Sequence, residues 1–289
     1  MKYFIVDAFT TEPFGGNPAG VVLLDPGSDF PSPHAMQQLA AEFRYSETAF
    51  VKQHSDNEFS VRYFTPRGEV DLCGHATIAT FGTMQRQGII AKGTTCLNHT
   101  LAGDLKVKAD GKVMMEMAAP QVIDTPVDVE RLHRIMGADK GPTHLPVMVV
   151  STGLPDIIMP VESVDRLNNL APDMDALAQM SKELGVTGVH AFAIENDGYT
   201  AHARNFGPLY GVPEESATGT ANGALTHYLH HCGIISRPAQ CRFLQGEAMN
   251  RPSVVETTLC PDGTVWVGGD CAIVAAGNID TPILYPKNN

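Results

Sequence analysis

Arg62-Tyr63-Phe64-Thr65-Pro66 is written a second time as Arg204-Asn205-Phe206-Gly207-Pro208, 142 residues further along the chain. Ala49-Phe50 recurs as Ala191-Phe192 at the same spacing. Gly74-His75-Ala76 is answered by Gly219-Thr220-Ala221, three positions further out. A spacing shared by two separate motifs points to a duplicated module rather than to chance. One difference matters more than the matches. Ser46-Glu47-Thr48 precedes the first Ala-Phe, whereas Gly188-Val189-His190 precedes the second. A duplicated scaffold with one unmatched carboxylate suggests a site between two halves, armed from one side.

Working outward, each half reads as one long helix among many short strands. In the first half, strand-like runs cover Tyr3 to Phe9, Ala19 to Leu24, Thr48 to Lys52, Phe59 to Phe64, Leu105 to Ala109 and Val113 to Met117. The last two flank Asp110-Gly111, a tight hairpin signal. Ser32 to Phe43 carries a helix start followed by apolar spacing, and Thr77 to Gln87 is a helix stopped by Gly88. The second half repeats this grammar. Its strands are Pro146 to Val150, Ile157 to Val161, Val189 to Glu195 and Thr200 to Asn205. Helices are expected at Ala171 to Leu184 and at Thr220 to Cys232. A hairpin is expected about Pro261-Asp262-Gly263. Pro120 ends the crossover between halves. The predicted domains are therefore 1–117, with 277–289 as a candidate return, and 120–276.

A chain of 289 residues accommodates two domains of about 140. Apolar content of 43% and charged content of 18% are those of an ordinary folded protein. The net charge of −12 argues against nucleic acid or an anionic membrane as a general partner. Six cysteines without a Cys-x-x-Cys spacing read as free thiols in a cytoplasmic protein. No apolar run approaches the ~20 residues of a membrane helix, and no signal peptide is evident. No Walker loop or strand-linked GxGxxG points to a nucleotide cofactor.

The helix beginning near Ala76 is apolar nearly all round, so it is expected to be buried, and its first four N–H groups need partners. Both such helices start on small residues: Cys73-Gly74-His75-Ala76-Thr77 and Thr218-Gly219-Thr220-Ala221-Asn222. Glycine lets a ligand approach the backbone, and the N–H groups and dipole of a helix start favour anions. A carboxylate held there would have charge stabilised beside it.

The chain resembles the PhzF family of phenazine-biosynthesis isomerases, related in fold to diaminopimelate epimerase and proline racemase. The resemblance rests on five blocks in register. They are Gly15-Gly16-Asn17-Pro18-Ala19, Ser46-Glu47-Thr48-Ala49-Phe50, Cys73-Gly74-His75-Ala76-Thr77, the run from Tyr210 to Thr220, and Gln245-Gly246. It implies an α+β fold of two pseudo-symmetric domains, each a β-barrel-like sheet around a central helix. It also implies cofactor-free isomerase chemistry on a small carboxylate-bearing metabolite, and a homodimer.

The same resemblance implies that Glu47 transfers the proton and that His75 bonds to substrate or to that acid. Burial is expected to raise the Glu47 pKa toward a useful value. Glu215 stands where the family usually carries Asp, and Thr220 where it usually carries Ser; both are candidate catalytic residues. Asn17, Gly74, Ala76, Thr218 and Gly219 are candidate substrate-binding residues. The epimerases of this fold use a thiol at each helix start. Here Cys73 has only Thr218 opposite it, so two-base racemisation is disfavoured and Cys73 reads as a small buried residue. A Cys73-dependent racemase and a non-catalytic metabolite-binding protein are the alternative readings. His227, His230 and His231 share a helical face but have no acidic or cysteine ligand at a recognised spacing, so no metal site is assigned. Arg62 and Arg204 read by default as structural ion-pair partners, with substrate anchoring as the alternative.

Overall fold

The computed structural model describes residues 1–138, 144–280 and 284–285. The chain divides into two compact units. One is Met1–Glu116 together with the chain from Gly268 onward; the other is Met117–Val267.

The first unit opens with β1 (Lys2–Ala8), β2 (Asn17–Leu23) and α1 (Pro33–Phe43), the last capped by the Ser32 side chain. Then come β3 (Thr48–Gln53), β4 (Glu58–Phe64), β5 (Glu69–Val70) and α2 (Gly74–Arg86). β6 (Thr94–Thr100), β7 (Gly103–Asp110) and β8 (Lys112–Glu116) complete this stretch. β7 and β8 are joined at Gly111, whose φ of 79° suits a glycine turn. β1 pairs antiparallel with β2, β2 parallel with β3, and β3 antiparallel with β4. β4 pairs parallel with β6, which continues antiparallel into β7. The sheet curls around α2, which touches β1, β2, β3, β7 and β8. Every residue of α2 from His75 to Met84 is buried, as a helix without a polar face requires.

The second unit runs β9 (Gln121–Ile123), α3 (Val129–Met136), β10 (Met148–Ser151), β11 (Pro155–Pro160), α4 (Val164–Asn168) and α5 (Met174–Leu184). It continues with β12 (Val189–Ala193), β13 (Ala201–Gly207), β14 (Val212–Glu215), α6 (Gly219–His231), β15 (Ala239–Gln245), β16 (Ser253–Leu259) and β17 (Val265–Gly269). Its pairing repeats the first unit strand for strand. β10–β11 is antiparallel, β11–β12 parallel, β12–β13 antiparallel, β13–β15 parallel and β15–β16 antiparallel. The buried α6 lies against β9, β10, β11 and β16. Helices α3 and α4 were not expected; both are short and owe their starts to the Asp128 and Ser163 caps.

β18 (Cys271–Asn278) then pairs along its length with β1. It does for β1 what β9 does for β10, supplying the antiparallel neighbour on the free edge. For that reason the structure returns the chain to the first unit at Gly268, earlier than the sequence boundary at residue 276. Of the expected 277–289 return, 277–278 lie in β18; 281–283 and 286–289 lie outside the described residues.

The Ala-Phe repeat is corrected by the strand register. Phe50 faces Arg62 across the β3–β4 pair, but Ala191 faces Arg204 across β12–β13. The structural counterpart of Phe50 is therefore Ala191, one residue short of the 142 spacing. In a strand one residue of slip turns the side chain to the other face. Phe50 packs away from the central helix, edge-on to Phe64 and beside Met36 of α1. Phe192 packs on Tyr228 of α6. The Arg-x-Phe repeat does hold: Arg62 lies over Phe64 and pairs with Glu69, and Arg204 lies over Phe206 and pairs with Glu214.

Candidate active site

The register also fixes the counterpart of Glu47. The Glu47 carbonyl accepts from Gly20 N–H at the start of the β2–β3 pair, and the Gly188 carbonyl accepts from Ile157 N–H at the start of β11–β12. Glu47 thus corresponds to Gly188, not to Val189. A Cβ on Gly188 would fall 1.8 Å from the Phe206 carbonyl oxygen, so the second unit has no room for a side chain there. The unmatched carboxylate is a consequence of backbone packing.

Glu47 lies just before β3 and meets the start of α2. His75 Nε2 is 3.1 Å from Glu47 Oε2. The ring nitrogen approaches off its donor axis, and Oε2 is buried without a directed hydrogen bond. Ser46 Oγ is 3.3 Å from His75 Nε2, and the Asn17 amide is 3.3 Å from His75 Nδ1. The Cys73 sulfur stands beside the ring, 3.5 Å from Nδ1 and 3.8 Å from Nε2. Asn17 is brought there by the turn at Gly16, where φ is 63° and an added Cβ would fall 2.2 Å from the Ala8 carbonyl oxygen. Only glycine satisfies both demands.

The electrostatics differ from the sequence expectation for Glu47. Burial pushes its pKa up, but the polar contact and charge of His75, with the nearby Ser46 hydroxyl and Cys73 thiol, together outweigh burial, and the carboxyl sits below its ordinary value. Burial opposes the His75 charge, yet Cys73 and Glu47 hold the imidazole well above its usual range. Burial and the Glu47 charge push the Cys73 thiol up to about 11. With the thiol neutral at pH 7, Glu47 is the partner that keeps His75 charged. The resting state is carboxylate, imidazolium and thiol.

Gly74, His75 and Ala76 form the first turn of α2, whose N-cap Cys73 makes no side-chain cap. A Cβ on Gly74 would meet only Met115 Cε, at 3.7 Å, leaving space beside these N–H groups.

The second unit builds a different arrangement on the same plan. Thr218 is the N-cap of α6, again without a side-chain cap, and Gly219 and Thr220 open the helix. Thr218 Oγ1 donates to Glu215 Oε2 at 2.8 Å. Gln245 donates to Thr218 Oγ1 and to the Glu215 carbonyl, and accepts from Thr218 N–H and the Asn222 amide. Asn222 meets His190, which in turn meets Asn205. Thr220 gives its carbonyl to Thr152 Oγ1. The structure therefore brings Asn17, Glu47, Cys73 and His75 together in one unit, and Glu215 and Thr218 together in the other.

Three residues escaped the sequence reading of roles. Gln245 organises the α6 start; its Gln-Gly block was visible but carried no chemistry. Ser46 touches His75. Asp156, 2% exposed in β11, has Oδ1 without a hydrogen bond. Burial, then the Glu215 charge, pushes its pKa up to about 7, against a hydrogen bond from Asn205. Nothing in a Pro-Asp dipeptide signals a buried acid. All six cysteines are free. His230 is spent on the Ile235 carbonyl beyond the end of α6. Among the described residues no helix is long and apolar enough to cross a membrane.

A curved sheet around a buried helix, built twice, with an acid–imidazole pair at one helix start, defines the epimerase-type α+β fold. The chain belongs to the PhzC-PhzF, or phenazine biosynthesis-like, family, whose profile matches residues 6–277. It is 34% identical over 268 residues to the uncharacterized isomerase YfhB of Bacillus subtilis, covering 89% of this chain and 88% of that one. It superposes on the PhzF-family phenazine biosynthesis protein of Bacillus anthracis with a TM-score of 0.86, at 26% identity, over 97% and 99% of the two chains. A probable proline racemase from Agrobacterium radiobacter shares the fold alone, with a TM-score of 0.64 at 13% identity over 99% of this chain and 94% of that one.

Proposed function

We propose that this member of an isomerase family moves a proton between carbons of a small carboxylate-bearing metabolite, with Glu47 as the acid/base. The observation that carries this reading is the pairing of half-buried Glu47 with buried His75 at the uncapped start of α2. Glu47, ionised at rest, takes a proton from carbon and returns it to another carbon of the same molecule, so the enzyme ends as it began. The substrate carboxylate would sit against the N–H groups of Gly74, His75 and Ala76, where the helix dipole and the imidazolium stabilise negative charge developing next to it. Asn17 and Ser46 hold the His75 ring in place. In the second unit, Gly219 and Thr220 offer a second set of donors, Thr218 spends its N–H on Gln245 and its hydroxyl on Glu215, and Glu215 is a second acid.

The Cys73-dependent racemase reading loses support from the same geometry. A thiol held near 11 is almost wholly protonated at neutral pH. Its counterpart at the α6 start is the hydroxyl of Thr218, already donating to Glu215.

The test is a screen of small cyclic and amino carboxylic acids for deuterium uptake from solvent, run beside Glu47→Gln. Uptake by the wild type and its loss in the variant support the reading. Wild-type exchange in the variant refutes the Glu47 role.

A further inference from the structure

We propose that Glu47, Cys73 and His75 form a latent zinc site, and that a zinc ion seated there blocks the proton transfer assigned to Glu47. The metal-binding half stands on geometry alone; the inhibitory half rests on the reading above.

The three side chains offer a carboxylate oxygen, a sulfur and an imidazole nitrogen, all within 4.8 Å of one another. That is the donor set and number of an open zinc site, which keeps one position for water or substrate. The spacing fits as well. Tetrahedral zinc with ordinary bond lengths separates nitrogen from oxygen by about 3.3 Å and nitrogen from sulfur by about 3.6 Å. Here Nε2 is 3.1 Å from Glu47 Oε2 and 3.8 Å from Cys73 Sγ, so small side-chain movements suffice.

Two further observations favour a cation. Glu47 Oε2 is buried and receives no hydrogen bond of regular geometry, while lying 3.1 Å from His75 Nε2. Glu47 also keeps 17% of its side-chain surface exposed, which gives an entry path. Cys73 and His75 are fixed by the buried start of α2, so two of three ligands need no ordering. On binding, the thiol and imidazolium protons pass to solvent and three metal–ligand bonds form; nothing is oxidised or reduced. Glu47 and His75 are then both occupied and neither can serve as base or donor.

The experiment uses the full-length protein freed of metal. Zn²⁺ binding is measured by competition with a chelating dye, and Co²⁺ is used as a visible probe. Expected are one tight site per chain and a thiolate-to-Co²⁺ charge-transfer band. Cys73→Ser should abolish the band and, like His75→Gln, weaken Zn²⁺ by roughly 100-fold or more. The double variant His227→Gln/His231→Gln removes the pair of histidines one turn apart near the end of α6, half-buried and exposed, and should leave the tight site unchanged. Failure of the wild type to bind Zn²⁺ tightly, Co²⁺ binding without a thiolate band, or loss of the site in the His227/His231 variant would each overturn the proposal. The wild-type Co²⁺ spectrum decides the matter even where a variant folds poorly. Solvent exchange that continues at full rate with the site saturated overturns the inhibitory half. Normal exchange by Glu47→Gln, in contrast, defeats the acid/base reading without touching the metal measurement.

Discussion

His75 Nε2 stands 3.1 Å from Glu47 Oε2 with both side chains largely out of water, and each charge sustains the other. Glu47 is held below 4.5 and His75 well above 6.5. The rate of solvent exchange should therefore hold a plateau across neutral pH. Its acid limb should have a midpoint below 4.5, as Glu47 gains a proton, and its alkaline limb one well above 6.5, as His75 loses one. His75→Gln should remove the alkaline limb and move the acid limb up. The pair's contribution to stability follows the same limits. Its Glu47 share is present above 4.5 and fades as pH falls through the folded value; its His75 share is complete below 6.5 and fades as pH rises through the folded value. A pH–rate profile with a His75 ring titration by NMR checks this. A ring that titrates near 6.5 would show that the pair does not form.

Cys73 separates the acid/base reading from the racemase reading. A buried thiol near 11 presents about one thiolate in ten thousand molecules at pH 7. Iodoacetamide should therefore label Cys73 far more slowly than the partly exposed Cys232 and Cys260, as peptide mass spectrometry would show. Cys73→Ala should keep solvent exchange within about tenfold of wild type. A loss of 10³-fold or more would favour the thiol as base.

The two arginines that opened the sequence reading should differ in cost. Arg204 is 7% exposed; it forks onto Glu214 and gives its other nitrogen to the carbonyls of Leu167, Asn168 and Leu170, closing the end of α4. Removing it strands a half-buried acid and three acceptors. Arg204→Met should cost roughly 3–5 kcal/mol. Arg62 forks onto Glu69 alone, with about a quarter of its side chain in solvent. Arg62→Met should cost about 1 kcal/mol. Urea denaturation of the two variants measures the gap, and equal losses would contradict the role given to the carbonyl contacts.

These arginines also show what was legible. Arg-x-Phe repeats because the same pair closes each β-turn region against the same acid, and that chemistry is written in residue types. The capped helix α1 and the small-residue starts of α2 and α6 were equally plain. The Ala-Phe repeat was misleading, since a residue name does not reveal which face of a strand it occupies. The reason Glu47 has no twin lies in the Phe206 carbonyl of β13 pressing on Gly188 just before the neighbouring β12, a backbone contact that residue types do not reveal. The sign of the Glu47 shift depended on His75, 28 residues away, and burial alone pointed the wrong way.

Asp156 gives the most direct test of the second unit. Its carboxyl ordinarily titrates near 3.8 and is raised here to about 7, by burial and then by Glu215. Between those values the unfolded chain has released the proton while the folded chain retains it, so raising the pH favours unfolding. The penalty is absent below about pH 4, grows toward pH 7 and is complete above it. At about 1.4 kcal/mol per pH unit it reaches on the order of 4 kcal/mol. Asp156→Asn keeps the shape and cannot ionise, so it should be more stable than wild type at pH 8 by a few kcal/mol, with the difference vanishing near pH 4. The amide brings donors to a place where Oδ1 has no hydrogen bond. Thermal unfolding of both proteins from pH 4 to 8 reads the difference. A variant that is less stable at pH 8 than at pH 4, relative to wild type, would mean that Asp156 is ionised in the folded protein.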